Sequence, residues 1–222
     1  MELINSFVEV EKYDPKKILK NIERACRTCY RSEDLITEDS YIKLLKNCIN
    51  RGHESILEHE KITVRIMCDV GFYKDITRHR AGTAFSIEST RYCNYSKDKF
   101  SNNIKFIDPI FITNKDNYNI WKETMQIIED NYIKMSENGA KPDELRMLLP
   151  HSTVAQVTMT CNIREWKHIL ELRCTKMVHP SIRQVLIPLL LKFKNDFPEI
   201  FENVPYDEEF PTEWYAEVRD MD

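Results

Sequence analysis

Between residues 62 and 70 the side chains alternate without a break: Ile62, Val64, Ile66, Cys68 and Val70 interleave with Thr63, Arg65, Met67 and Asp69. Successive side chains of an extended chain point to opposite faces, so this period of two predicts a strand with one apolar face. Such a strand needs neighbours for its backbone groups and a layer over its apolar side. Thr153 to Thr160 reads as another strand, and Asn103 to Ile107 as a short one.

The remaining periodicity is helical. Asp14-Pro15 pairs a capping carboxylate with proline at the first helical position, opening a helix to about Tyr30. A second helix is predicted from Thr37 to Arg51, with Leu44, Leu45, Cys48 and Ile49 inward and Gly52 as its stop. Ile120, Trp121, Ile127, Ile128 and Ile133 fit a long helix from Asp116 to Asn138, ended by Gly139. Pro142 opens a short helix to Leu149, which Pro150 closes. Arg164 to Met177 and Pro180 to about Lys194 complete the set. From Glu199 onward nine acidic residues stand against one arginine, Arg219, with Pro205 and Pro211 among them. This acidic extension, about 199–222, reads as loosely structured or peripherally docked. Repeats and linkers are absent, so residues 1–222 read as one α+β domain.

At 222 residues the chain can bury one substantial core. It carries 42% apolar and 31% charged residues and no apolar run of membrane-spanning length, and its start does not read as a signal peptide. Seven scattered cysteines suit reduced thiols and a cytoplasmic location better than a disulfide framework. The net charge of −4 disfavours a nucleic-acid-binding module, and any basic site must be local. Four glycines, Gly52, Gly71, Gly82 and Gly139, cannot build a G-x-G-x-x-G turn or a P-loop. Side chains must therefore hold any pyrophosphate.

The local basic site is Arg78-His79-Arg80-Ala81-Gly82-Thr83-Ala84-Phe85-Ser86-Ile87-Glu88-Ser89-Thr90-Arg91-Tyr92. Guanidinium forks and hydroxyls bind phosphates and planar heterocycles through charge-assisted bonds, although such a run also serves as a solvated surface. Three other segments hold chemistry-bearing residues. Gly52-His53-Glu54-Ser55-Ile56-Leu57-Glu58-His59 reads as a polar cap or turn; its His pair is too thin for a metal site, and no metal is predicted. Arg146 lies among leucines in Glu144–Pro150, as a snorkelling side chain or a ligand. Asn162 stands where a strand gives way to a helix, a position that favours anions. Arg164, His168 and Leu172 share one face of that helix, and Arg173 points elsewhere. Cys26-x-x-Cys29 lies inside a helix, and Cys93 follows no proline; neither is read as catalytic.

The Arg-His-Arg run, its spacer and Ser89-Thr90-Arg91-Tyr92 resemble the signature of the flavin-dependent thymidylate synthases. The Gly52–His59, Glu144–Pro150 and Asn162–Arg173 segments match that family in order. The spacer Ala81–Glu88 has one residue more than the family pattern. Ile87 occupies a position where Glu or Gln is common, with Glu88 adjacent, and Asp75 stands where Gln is frequent.

The resemblance implies a central, mostly antiparallel sheet flanked by helices, in a homotetramer whose sites are shared between subunits. The implied reaction is methylation of dUMP to dTMP, with FAD, methylenetetrahydrofolate and NADPH. It implies FAD contacts from Ser55, Arg78, His79, Arg80, Ile87, Asn162, Arg164 and His168. It implies dUMP contacts from Asp75, Arg78, Ile87, Glu88, Ser89, Thr90, Arg91, Arg146 and Arg173, with Arg173 activating the uracil ring. His53 and Glu58 would face the flavin and folate side. A flavoprotein of another reaction is the rival reading.

Overall fold

The alternating stretch forms the strand at the middle of the sheet. In the computed structural model, which describes residues 1–95 and 103–221, it spans Lys61–Asp69 and is β3 here. It follows β1 (Glu2–Ile4), β2 (Phe7–Val10), α1 (Pro15–Thr28) and α2 (Ser40–Asn50). After it come α3 (Val70–Ile76), β4 (Thr83–Ile87), β5 (Lys105–Ile107), α4 (Lys115–Glu137) and α5 (Pro142–Leu145). The chain continues through β6 (Val154–Asn162), α6 (Ile163–Arg173), α7 (Pro180–Asp196), α8 (Pro198–Phe201) and β7 (Glu217–Asp220).

β3 and β6 pair antiparallel along their whole length, from Lys61 opposite Asn162 to Asp69 opposite Val154. β4 adds to the far side of β6 and β2 to the far side of β3, both antiparallel, and β7 joins β2 in parallel. The order is therefore β4-β6-β3-β2-β7: a mostly antiparallel sheet in an α+β fold, as the resemblance implies. Ile62, Val64 and Ile66 are fully buried in one core with Trp166, Ile169, Leu170, Val185 and Leu189 of α6 and α7. Burying each such side chain is worth about 1.5–3 kcal/mol. A one-residue slip of β3 would turn them all outward, so the register is firmly specified. Trp166 Nε1 donates to the Ile62 carbonyl at 3.0 Å, tying α6 to β3. A smaller core gathers Phe106, Met125, Tyr132 and Leu145 beneath α4, beside a two-stranded parallel sheet of β1 and β5.

Several boundaries differ from the sequence reading. Val70 begins α3 instead of ending the strand, because the Asp69 carboxylate caps that helix by accepting the Phe72 N–H at 2.6 Å. β6 runs on to Asn162, and α6 stops at Arg173 rather than Met177. There the Cys174 carbonyl, buried with its side chain, accepts from Asp207 N–H at 2.8 Å instead of continuing the helix. α2 starts at Ser40, since Ser40 Oγ takes the Thr37 N–H and closes a turn ahead of it. The segment from Pro142 is helical only to Leu145 and tightens into a 3-10 turn over Arg146–Leu148. The Asn103–Ile107 strand is shorter, Lys105–Ile107.

The acidic stretch from Glu199 is the largest correction. Phe201, Val204, Phe210 and Ala216 are buried in the main core, and β7 forms one edge of the sheet. Glu9 explains how so acidic a segment docks. It accepts from Arg219 on β7, Nη2 at 2.8 Å, and from Arg65 on β3, so one buried carboxylate bridges three strands.

Candidate active site

The Arg-His-Arg residues lie just past α3, in the loop that leads into β4. That loop is pinned at Gly82, whose φ of +62° lies in the left-handed region. A Cβ there would stand 2.1 Å from Asn162 Nδ2. Only glycine combines that backbone angle with so close an approach. Asn162 completes the lock. Its N–H donates to the Gly82 carbonyl at 3.0 Å, and its Oδ1 accepts the Glu165 N–H at 2.8 Å, capping α6. The sequence reading of Asn162 as a cap at a strand-to-helix junction holds.

Around this lock the structure gathers residues from distant parts of the chain. Arg173, at the last turn of α6, donates from Nε to His79 Nε2 at 3.0 Å and from Nη2 to the Asp75 carbonyl at 3.2 Å. His79 is 7% exposed, and its Nδ1 lies 3.4 Å from Glu165 Oε1. Burial, with the Arg173 charge and His168 beside it, pushes the His79 pKa down to about 4, so the ring is neutral at pH 7. The His168 ring meets that of His79 edge-on, 5.8 Å between centroids. Arg164, His168 and Leu172 are all exposed, as their shared face predicts, while Arg173 turns inward to α3.

The Gly52–His59 segment packs against α6 as a turn of 3-10 helix, Ser55–His59. Glu58 pairs with Arg164, and Glu54 with Lys167 at 2.8 Å. His53, Ser55 and Glu58 are exposed on this flank. Arg78, whose side chain is 74% exposed, lies 3.7 Å from the Asp75 carboxylate, and Arg80 is exposed. Three guanidinium groups face solvent here: Arg80 and Arg164 next to the Gly82–Asn162 lock at the capped start of an eleven-residue helix, and Arg78 against Asp75, whose carbonyl meets Arg173 at the helix's other end. This donor set fits the two phosphates and planar ring of a flavin dinucleotide. On the other side of α3, Asp75 and Arg78 also line a cavity of about 460 Å³ with Phe111, Trp121, His151 and His179.

The second half of the signature lies elsewhere. β4 intervenes, and its five residues span about 16 Å at the usual rise of a strand. At its end Ile87 still pairs with Val157 of β6, and just beyond it the Glu88 N–H bonds the Gln156 carbonyl at 2.9 Å. Glu88 Oε1 accepts from Tyr95 Oη at 2.9 Å. Ser89 and Thr90 form the following turn, where Ser89 Oγ accepts the Arg91 N–H at 3.4 Å. Arg91 Nε donates to Asp143 at 3.0 Å, which brings it to the short helix that leads into Arg146. Tyr92 and Met147, 79% and 82% exposed, flank these arginines.

One chain therefore brings together Asp75, Arg78, His79, Arg80, Asn162, Arg164, His168 and Arg173, and separately Ile87 to Arg91 with Arg146. Glu165 escaped the sequence reading. Its one signal was its place three residues after the cap, where a glutamate is ordinarily explained as half of a capping box.

Comparison with known proteins gives the family. The family described as "Thymidylate synthase complementing protein" matches residues 10–199. A flavin-dependent thymidylate synthase of Geobacter sulfurreducens is 26% identical over 186 residues, covering 81% of this chain and 78% of that protein. One from Thermococcus kodakarensis is 31% identical over 157 residues, covering 68% of this chain and 62% of its own length. Among solved structures, thymidylate synthase X of Helicobacter pylori, crystallised with FAD and dUMP, superposes with a TM-score of 0.73 at 19% identity. That match covers 90% of this chain and 98% of the other. A UMP/dUMP methylase of Streptomyces cacaoi gives 0.76 at 19% identity, covering 91% and 96%. No helix among the described residues is long and apolar enough to cross a membrane. With more than half of its length matched by the family, this chain belongs to the flavin-dependent thymidylate synthases.

Proposed function

We propose that this chain converts dUMP to dTMP in the cytoplasm, with FAD as redox carrier, methylenetetrahydrofolate as carbon donor and NADPH as reductant. The observation that carries this reading is the Gly82–Asn162 lock, which holds the Arg-His-Arg loop against the start of α6 with Arg173 in bonding contact with His79. FAD, when bound, supplies the hydride chemistry.

The protein's own groups bind and polarise. Arg78, Arg80 and Arg164 offer charge-assisted bonds to the FAD phosphates, with Ser55, His79, Asn162 and His168 around the same nucleotide and Ile87 on its edge. Arg173, already oriented by His79 and the Asp75 carbonyl, presents the remaining N–H groups of its fork to the uracil N3–O4 edge. There it polarises the C4 carbonyl, which makes C6 electrophilic, and stabilises the enolate-like charge that develops on the ring. Asp75 and Arg78 flank that ring. Ser89, Arg91 and Arg146, with Ile87, Glu88 and Thr90, hold the deoxyribose phosphate, and His53 and Glu58 border the folate side.

This assignment divides the dUMP contacts between the two ends of β4, about 16 Å apart. On the family resemblance, the two ends serve sites that are shared between the subunits of a homotetramer. Apolar side chains exposed beside the second half, Tyr92 and Met147, suit such a contact.

The test is anaerobic formation of dTMP from dUMP, methylenetetrahydrofolate and NADPH by the FAD-loaded protein. No product from a protein that binds FAD would overturn the reading. Mixing and reassembling Arg91→Ala with Arg173→Ala chains should restore activity that neither has alone. Failure of the mixture, with wild-type turnover intact, would place both arginines in one subunit's site.

A further inference from the structure

We propose that Glu165 is a positioning residue for Arg173: its carboxylate fixes the proton of His79 on Nδ1, which leaves Nε2 to accept the Arg173 Nε–H. The proposal rests on the reading of Arg173 as the group that meets uracil, and it adds a residue to which that reading gave no role.

The reasoning begins at the helix start. A glutamate three residues after an N-cap ordinarily turns back to accept the cap's own N–H, completing a capping box. Here that N–H is already given to the Gly82 carbonyl at 3.0 Å. Asn162 does its half, taking the Glu165 N–H on Oδ1. The Glu165 carboxylate is thereby released from the usual partner. Buried with its residue, it instead faces His79 Nδ1 at 3.4 Å.

A neutral imidazole has one donor nitrogen and one acceptor nitrogen. Arg173 has donors only, so the 3.0 Å contact from its Nε requires His79 Nε2 to be bare and Nδ1 to carry the hydrogen. The opposite tautomer would set N–H against N–H on the Arg173 side and a bare nitrogen against a carboxylate on the other. Arg173 penalises the first and Glu165 the second, so the two act on the same tautomer from opposite sides. The other titratable or charged groups near the ring are Arg173 itself, His168 edge-on at 5.8 Å and Arg164 on the exposed side of α6. None of them accepts a hydrogen as a carboxylate does. Glu165, His79 and Arg173 therefore form a chain of three in which the first sets the orientation of the last, and the Asp75 carbonyl fixes the guanidinium at its other end.

The experiment uses the full-length, FAD-loaded protein as wild type, Glu165→Ala and Glu165→Gln. Nitrogen-15 NMR of labelled histidine reads the His79 tautomer directly, with His79→Gln assigning the signal. Stopped-flow absorbance reads oxidation of the reduced flavin by dUMP plus methylenetetrahydrofolate. Wild type should show protonated Nδ1 and bare Nε2. Glu165→Ala should lose that signature and slow flavin oxidation by about tenfold or more, as loss of a supporting hydrogen bond does elsewhere. Glu165→Gln keeps an acceptor oxygen without charge. It should retain the signature and stay within about threefold of wild type, since the orienting bond survives.

Wild-type signature and rate in Glu165→Ala would overturn the proposal. So would a Glu165→Gln protein as slow as Glu165→Ala with its tautomer unchanged, because charge or folding would then be the cause. The tautomer is read without turnover. Failure of the wild-type protein to make dTMP would therefore remove the reaction assigned above and leave the ring assignment to the NMR result.

Discussion

His79 and Arg91 belong to the same signature, and the structure treats them in opposite ways. His79 is buried, its ring fixed by Arg173 on one side and Glu165 on the other, behind a glycine that no other residue replaces. Arg91 reaches into solvent from a turn beyond β4, anchored by an exposed ion pair to Asp143. Exposed pairs of this kind contribute about 0–1 kcal/mol, so Asp143 sets the direction of Arg91 only weakly. The first half of the signature is preorganised within one chain. The second half is held loosely enough for a phosphate to displace its partner.

The sharpest way to break this contrast is Arg173→Lys. Lysine keeps the charge but cannot donate to His79 and the Asp75 carbonyl while presenting a planar fork to a ring edge. Oxidation of reduced flavin by dUMP plus methylenetetrahydrofolate should slow by roughly 10²–10³-fold, the usual consequence of removing one preorganised donor. Reduction by NADPH should stay near wild type. Stopped-flow absorbance separates the two half-reactions, and an unchanged oxidation rate would move the activating role to another residue.

Acid should strike the buried half next. His79 is held near pH 4, against about 6.5 in an unfolded chain. Between those values the unfolded chain takes up a proton that the native ring refuses, so stability falls as pH drops from 6.5 toward 4 and is unaffected by this group above 6.5. The total is of order 3 kcal/mol. Urea unfolding of wild type and His79→Gln from pH 7 to 4.5 measures it. Parallel curves for the two proteins would show that His79 does not titrate this way.

Gly82→Ala should destabilise by roughly 2–3 kcal/mol, since the new Cβ meets both a left-handed backbone and the Asn162 amide. Gly139→Ala, also left-handed but with nothing within 4 Å, should lose only about 1–2 kcal/mol. Equal shifts in Tm would mean that the Asn162 contact adds nothing. Arg91→Ala and Arg146→Ala should weaken dUMP by about 1.5–3 kcal/mol each, as loss of a charge-assisted bond does, and leave FAD nearly untouched. Isothermal titration with each ligand tests that split, and matching losses would erase the distinction between the halves.

Much of this was legible beforehand because local rules govern it. The alternation at 62–70 marks β3 to within one residue, proline and glycine bound most helices to within a few residues, and the Asn162 junction reads as a cap. What escaped was set by distant partners. β7 looked like part of an acidic extension because its docking depends on Glu9 and Arg219, 210 positions apart. β4 was hidden inside a run whose arginines and hydroxyls drew attention away from the alternating exposure of Thr83–Ile87. Glu165 was invisible because its usual partner, the Asn162 N–H, is taken by a glycine eighty positions earlier.

The parallel pairing of β2 with β7 bears on how the protein is made. While the ribosome is still adding residues, β2 can find β3 early, but its other edge stays bare until Glu217–Asp220 emerge. An uncovered edge is a template for pairing with another chain, and long-range closure of this kind is slow. The nascent polypeptide thus passes most of its synthesis with half a groove in its sheet unfilled, and with Glu9 still waiting for the arginine of β7.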